Sequence, residues 1–131
     1  MKECIKKIDE FHKAFKIHSE SVPTIPDTAT VQLRYKLALE ELQEFMDACQ
    51  VEDPVKVFDA LVDQLYILLG TAHVFGMADA LEEGFKEVHR SNMTKLDENG
   101  KPVYREDGKV IKSHLYEKPD LATVLGEIYS V

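Results

Sequence analysis

The chain has 131 residues, 44% of them hydrophobic and 31% charged, with a formal net charge of −8. That length fits a single domain over residues 1–131 with a modest core, and the composition excludes disordered and collagen-like classes. The acidic surplus also argues against a binder of phosphate backbones, so no nucleic acid polymer is expected as a partner.

The first residues, "MKECIKKIDEFHKAF", scatter charges every few positions, so no secretion signal is expected there. The longest apolar run, "LYILLG", is too short for a membrane span, and no membrane partner is expected. Cys4 and Cys49 are isolated thiols without metal-ligand spacing, which suits a reducing compartment and a cytoplasmic location. The charge is uneven: residues 1–85 hold 16 acidic and 8 basic side chains, whereas residues 86–118 hold 6 acidic and 8 basic. The C-terminal third is therefore the part friendlier to anions.

In chain order, Ile5, Ile8, Phe11, Phe15 and Ile17 predict an amphipathic helix over about 2–18. "SESVPTIPDTAT" breaks it with two prolines among small polar residues. A long helix follows over about 30–51. Asp53 and Pro54 then supply a cap and a first-turn residue for a third helix that runs to Phe75, with Gly76 as its stop. A fourth helix, from Met77 or Asp79 to Lys95, completes the helical part. Beyond it, Asn99-Gly100 and Asp107-Gly108 are turn dipeptides, and "PVY" and "KVI" pair as a small hairpin across the second. Asp120 caps a last short helix, "LATVLGEIY". The fold class is all-α: a bundle of four to five helices with a long C-terminal loop or hairpin.

Helix two, drawn as a wheel, puts Val31, Tyr35, Leu42, Phe45 and Cys49 on a buried side. Glu41 and Glu44 fall at the margin of that side, and Glu40 lies almost opposite it. On helix three, apolar residues point in every direction, yet Asp59 and Asp63 share one face with Tyr66, Gly70 and His73. Paired acids one turn apart repel, so something positive is expected beside them: a salt bridge to Arg34 or Lys36, or a divalent cation shared with Glu41 and Glu44. Four carboxylates suit Mg²⁺ or Mn²⁺ better than zinc, although His73 is worth testing as a zinc ligand. On helix four, Ala78, Leu81, Phe85, Val88 and Leu96 form the predicted buried face, with Asn92 in its middle and His89 close by. Asn92 is either a backbone partner within the core or, with Lys95 and the loop cations Lys101, Arg105, Lys109 and Lys112, a seat for an anionic ligand.

The ordered set "EELQE", "DALVDQLYILLGTAHVFG" and "EVHRSNMTKL", followed by "GKPVYREDGKVIKSHLYEKPDL", resembles the MazG-like all-α nucleoside triphosphate pyrophosphohydrolases, most of all the phosphoribosyl-ATP pyrophosphohydrolase-like branch. The resemblance spans roughly residues 31–121. It implies Mg²⁺ (or Mn²⁺) bound by Glu41, Glu44 and Asp63. At the fourth ligand position Ala60 stands where the family commonly has Glu, and Asp59 is the available carboxylate one residue earlier. It further implies that Asn92 and Lys95 contact the nucleotide or its phosphates, with Lys112 and Tyr116 as further candidates, and that the chain is at least a homodimer, up to a homotetramer. Together these residues lead to an expectation of Mg²⁺-dependent hydrolysis of a nucleoside triphosphate to the monophosphate and pyrophosphate. Glu40 or Glu41 would orient or deprotonate the attacking water. Hydrolysis of phosphoribosyl-ATP, a non-catalytic nucleotide-binding regulatory oligomer and a purely structural bundle are the alternatives.

Overall fold

In the computed structural model, which describes residues 1–131, five α-helices and one small hairpin follow one another: α1 (Lys2–Ala14), α2 (Thr28–Gln50), α3 (Pro54–Val74), a single 3-10 turn at Ala78–Ala80, α4 (Leu81–Met93), β1 (Val103–Tyr104), β2 (Val110–Ile111) and α5 (Leu121–Tyr129). The all-α expectation holds, and the chain divides into two compact units, Met1–Asp79 and Ala80–Val131.

In the first unit the helix starts are those the caps dictate. Asp27 accepts a hydrogen bond from the Thr30 amide at 2.9 Å, and Asp53 accepts from Val55 and Lys56, with Pro54 opening α3. α1 ends at Ala14, four residues short of the predicted boundary. Lys16 turns left-handed at φ 56, and the Ile17 amide closes back onto the His12 carbonyl at 2.8 Å. α2 and α3 end in the same geometry, at Glu52 (φ 53) and Gly76 (φ 72). Gly76 alone is sterically required: a Cβ there would stand 2.1 Å from the Val22 carbonyl oxygen. The linker before α2 crosses this corner, donating the Glu20 and Thr24 amides to the Val74 and Phe75 carbonyls. It thereby satisfies groups that the end of α3 would otherwise leave unpaired.

α3 is packed by both α1 and α2, and Ile8, Ala48, Ala60, Leu69 and Val74 form the buried core. The face α2 turns inward is only partly the predicted one. Val31 and Phe45 are among its less exposed positions, with Arg34, Leu37, Glu41 and Ala48, while Tyr35, Leu42 and Cys49, also predicted inward, are exposed. α2 carries apolar residues on two sides, and within one chain the line from Arg34 through Glu41 to Ala48 is the one that meets α3. Tyr35, Ala38 and Leu42, with Leu65 and Leu68 of α3, line an open apolar groove of about 680 Å³. α3 is also long and apolar enough, by length and composition, to cross a bilayer. The short run "LYILLG" therefore understated its hydrophobicity, because the apolar character is spread around the whole helix.

In the second unit α4 starts at Leu81 and stops at Met93. Its buried residue is Ser91, 2% exposed, whereas Phe85, Val88 and Asn92, expected on the core face, are exposed. Close approach of the tail explains the shift. The Ser91 hydroxyl donates to the Glu117 carbonyl at 2.7 Å, and the Glu117 amide donates to Thr94 Oγ1 at 2.8 Å, contacts that a small hydroxyl can make and a phenyl ring cannot. Leu121 packs beside Gly84, where a Cβ would stand in ordinary contact 3.9 Å from its Cδ2. The predicted hairpin is present, with Val103 opposite Ile111 and Tyr104 opposite Val110. Asp120 caps α5 by accepting from the Thr123 amide at 3.1 Å.

Candidate active site

α2 and α3 run side by side, and one turn of each carries the acids. Glu41, Glu44 and Asp63 bring one carboxylate oxygen apiece to within 4.8 Å of one another. Glu41 lies on the inward line of α2, half-buried, and its Oε2 is enclosed with no hydrogen-bond partner. Burial is the first cause that raises its pKa, followed by the adjoining Glu44 carboxyl and the charges of Asp63 and Glu40. Such a group is costly unless a proton or a cation joins it.

The salt-bridge explanation for these acids does not hold for Arg34. Arg34 is 7% exposed, and its guanidinium donates to the Ile67 carbonyl and to Thr71 Oγ1, both at 3.0 Å, one and two turns along α3 from Asp63. Nor does His73 join the acids. It meets Asp9 at 3.1 Å and lies edge-on to His12, with ring centroids 5.3 Å apart. Three carboxylates, none of them in an ion pair with a protein cation, form a donor set of hard oxygens, and the unpartnered Glu41 oxygen fits a divalent ion of the Mg²⁺ or Mn²⁺ kind.

Asp59 is exposed and is not one of the three converging acids. It borders a cleft of about 360 Å³ with Glu44, Asp47, Lys56 and the buried Ala60. Glu40 is exposed on the next position of α2. The predicted nucleotide-contacting residues all belong to the second unit. There Asn92 is exposed, Lys95 is half-buried with its carbonyl accepting from the Ser113 amide, and Lys112 holds its ammonium 4.4 Å from the centroid of the Tyr116 ring.

Sequence reasoning missed the polar cluster of His12, Arg34, His73 and Asp9. Two of its members are joined across Gly70, where a Cβ would stand 2.7 Å from Arg34 Nη2 and 3.1 Å from His12 Nε2. The available signal was the conjunction of a glycine inside an apolar helix with a histidine on the apolar face of α1. Burial drives the His12 pKa down to about 4, helped by the charges of His73 and Arg34 and opposed by Asp9.

An all-α bundle whose neighbouring helices converge acids in this way agrees with one class, the MazG-like all-α nucleoside triphosphate pyrophosphohydrolases, to which the matching family belongs. Within that class, the model of the phosphoribosyl-ATP pyrophosphohydrolase family matches residues 8–92, and the chain belongs to that family. The match takes in α1, which the sequence resemblance had left out, and stops before the tail. Family members are pyrophosphohydrolases acting on phosphoric anhydride bonds, and the family generally depends on a divalent metal. No curated protein gives a significant match to the chain.

Proposed function

We propose that the protein is a Mg²⁺-dependent nucleoside triphosphate pyrophosphohydrolase that releases a monophosphate and pyrophosphate. The observation that carries this reading is the convergence of Glu41, Glu44 and Asp63 around a buried carboxylate oxygen that no protein group satisfies. These three side chains would hold the ion, with Asp59 at the rim of the adjoining cleft as a further ligand. When bound, the ion neutralises phosphate charge and acidifies water. Glu40 or Glu41 orients the attacking water and accepts its proton as the new P–O bond forms and the anhydride bond to the leaving pyrophosphate breaks. By resemblance to the family, Asn92, Lys95, Lys112 and Tyr116 would contact the nucleotide or its phosphates.

The family match favours a second substrate, phosphoribosyl-ATP, for the same chemistry. A Mg²⁺-dependent assay of pyrophosphate release decides between them, using a panel of ribo- and deoxyribonucleoside triphosphates together with phosphoribosyl-ATP. Turnover of a triphosphate supports the first reading and turnover of phosphoribosyl-ATP alone supports the second. Nucleotide binding without product would instead identify a regulatory oligomer. We also propose that the chain acts as a dimer or tetramer, since Tyr35, Leu42, Leu65 and Leu68 leave an apolar face of α2 and α3 open. Light scattering of the purified protein tests this, and a monomer at micromolar concentration would overturn it.

A further inference from the structure

α1 and α2 both run antiparallel to α3, as two sets of contacts show. Along α1, Asp9 meets His73, His12 faces Gly70, and Phe11 meets Tyr66. Along α2, Arg34 reaches Thr71 and Ile67, and Glu41 converges with Asp63. Both flanking helices therefore progress toward the same end of α3. At the turn that holds Asp63 and Tyr66, α2 offers carboxylates and α1 offers aromatic rings.

Those rings are arranged as a ledge. The Phe11 ring stands edge-on to Tyr66, with centroids 5.6 Å apart and an interplanar angle of 89°. Phe15 stacks on Phe11 with centroids 4.5 Å apart at 32°. Although the three touch, each stays open to solvent: Phe11 is 37%, Tyr66 38% and Phe15 66% exposed. Ordinary helix packing accounts for the contact of Phe11 with Tyr66. Phe15, the C-capping residue of α1, follows Phe11 by one turn, so their contact is that of i,i+4 neighbours, and it adds to the outside of the pair a ring that no other element covers. Tyr66 follows Asp63 by three residues, so the ledge begins about one helical turn, roughly 5 Å, from the carboxylate cluster. A nucleotide has the matching layout, with a flat heterocycle joined through a sugar to its phosphates.

We propose that Phe15, Phe11 and Tyr66 form the platform on which the substrate's nucleobase stacks, with the phosphates directed to Glu41, Glu44 and Asp63. This assignment rests on the pyrophosphohydrolase reading of the same site. Recognition by ring faces tolerates any base, because every base has a π surface, so the platform contributes affinity and placement with little discrimination among bases. Phe15 is a substrate-positioning residue.

Two variants of the full-length protein test the platform. Phe15→Ala should raise KM for the preferred nucleoside triphosphate by about 5- to 150-fold, the range of one lost base–aromatic stack. It should leave kcat and Mn²⁺ binding nearly unchanged. Phe15→Trp should keep the wild-type KM and, since the chain contains no tryptophan, supply a single emission that a bound nucleoside monophosphate quenches. An unchanged KM in Phe15→Ala with an unquenched Phe15→Trp overturns the platform even if hydrolysis proceeds. A change of oligomeric state in Phe15→Ala without a change in KM overturns it as well, by making the ring a subunit contact. Quenching of Phe15→Trp in a protein that hydrolyses none of the nucleotides supports the platform while removing the hydrolytic reading.

Discussion

Residues 1–79 and 80–131 bury polar groups in opposite ways. In the second unit the buried polar side chain is Ser91, whose hydroxyl donates to the Glu117 carbonyl of the tail, while Thr94 Oγ1 accepts from the Glu117 amide and the Ser113 hydroxyl of the tail donates to the Leu96 carbonyl. Glu87, which accepts from Arg90 and from the Asp120 amide, is held down to about 2 by those contacts. Apart from the Glu87–Arg90 pair, which lies within α4, these interactions tie one segment to another. The first unit instead encloses ionisable groups, with His12 and Arg34 buried and Glu41 left with an oxygen that has no partner. A polar group that is fully paired is structural, whereas one kept short of partners at a cost in stability is available to a ligand.

The sharpest way to break this contrast is Asp63→Asn. Hydrolysis should fall by about a hundredfold or more and Mn²⁺ binding should be lost, while the metal-free protein melts no lower because one repulsive charge has gone. Asp59→Asn should weaken Mn²⁺ binding by less. Equal losses from the two variants would make Asp59 a full ligand, and a metal-free protein destabilised by Asp63→Asn would make the cluster structural.

Next in size is Gly76→Ala, which forces a Cβ onto the Val22 carbonyl at φ 72. It should cost about 3 kcal/mol or more, read as a lower urea midpoint with an unchanged slope.

The enclosed histidine gives a pH effect. Unfolded, His12 takes a proton near 6.5; folded, near 4, beside His73, Arg34, Asp9 and Ser19. Between those values the unfolded chain binds more protons, so stability falls as pH drops from about 6.5 to about 4 and loses nothing further to His12 below that. The loss should be at most about 3 kcal/mol, and His12→Gln should flatten that part of a stability–pH profile.

The smallest effect belongs to the second unit. Ser91→Ala should cost about 1 kcal/mol, seen as faster amide exchange around Glu117 with the first unit unaffected.

Much of this architecture could be read from sequence because its signals are local. Asp53-Pro54, Gly76, Asp120 and the Asp107-Gly108 turn mark element ends without reference to anything distant, and the structure places each where it was expected. Glu41, Glu44 and Asp63 come together as the spacing on α2 and the shared face on α3 led one to expect, whereas Asp59, read on the same face as Asp63, does not join them. What failed was direction. Tyr35 and Leu42 on α2, and Phe85 and Val88 on α4, look like core because apolar stripes normally face their own chain, yet all four are exposed. The Arg34–His12 meeting was hidden for a different reason: it joins side chains from two helices over a third, and no periodicity within one helix encodes it.

The corners of the first unit bear on how the protein could be made more robust. Lys16 and Glu52 hold the same left-handed backbone as Gly76, at φ 56 and 53, and each does so with a Cβ that this conformation disfavours. Replacing either by glycine would relieve on the order of 0.5–1 kcal/mol of strain at a bend. Natural variation in this chain therefore has inexpensive room at two of its three bends, and none at the third.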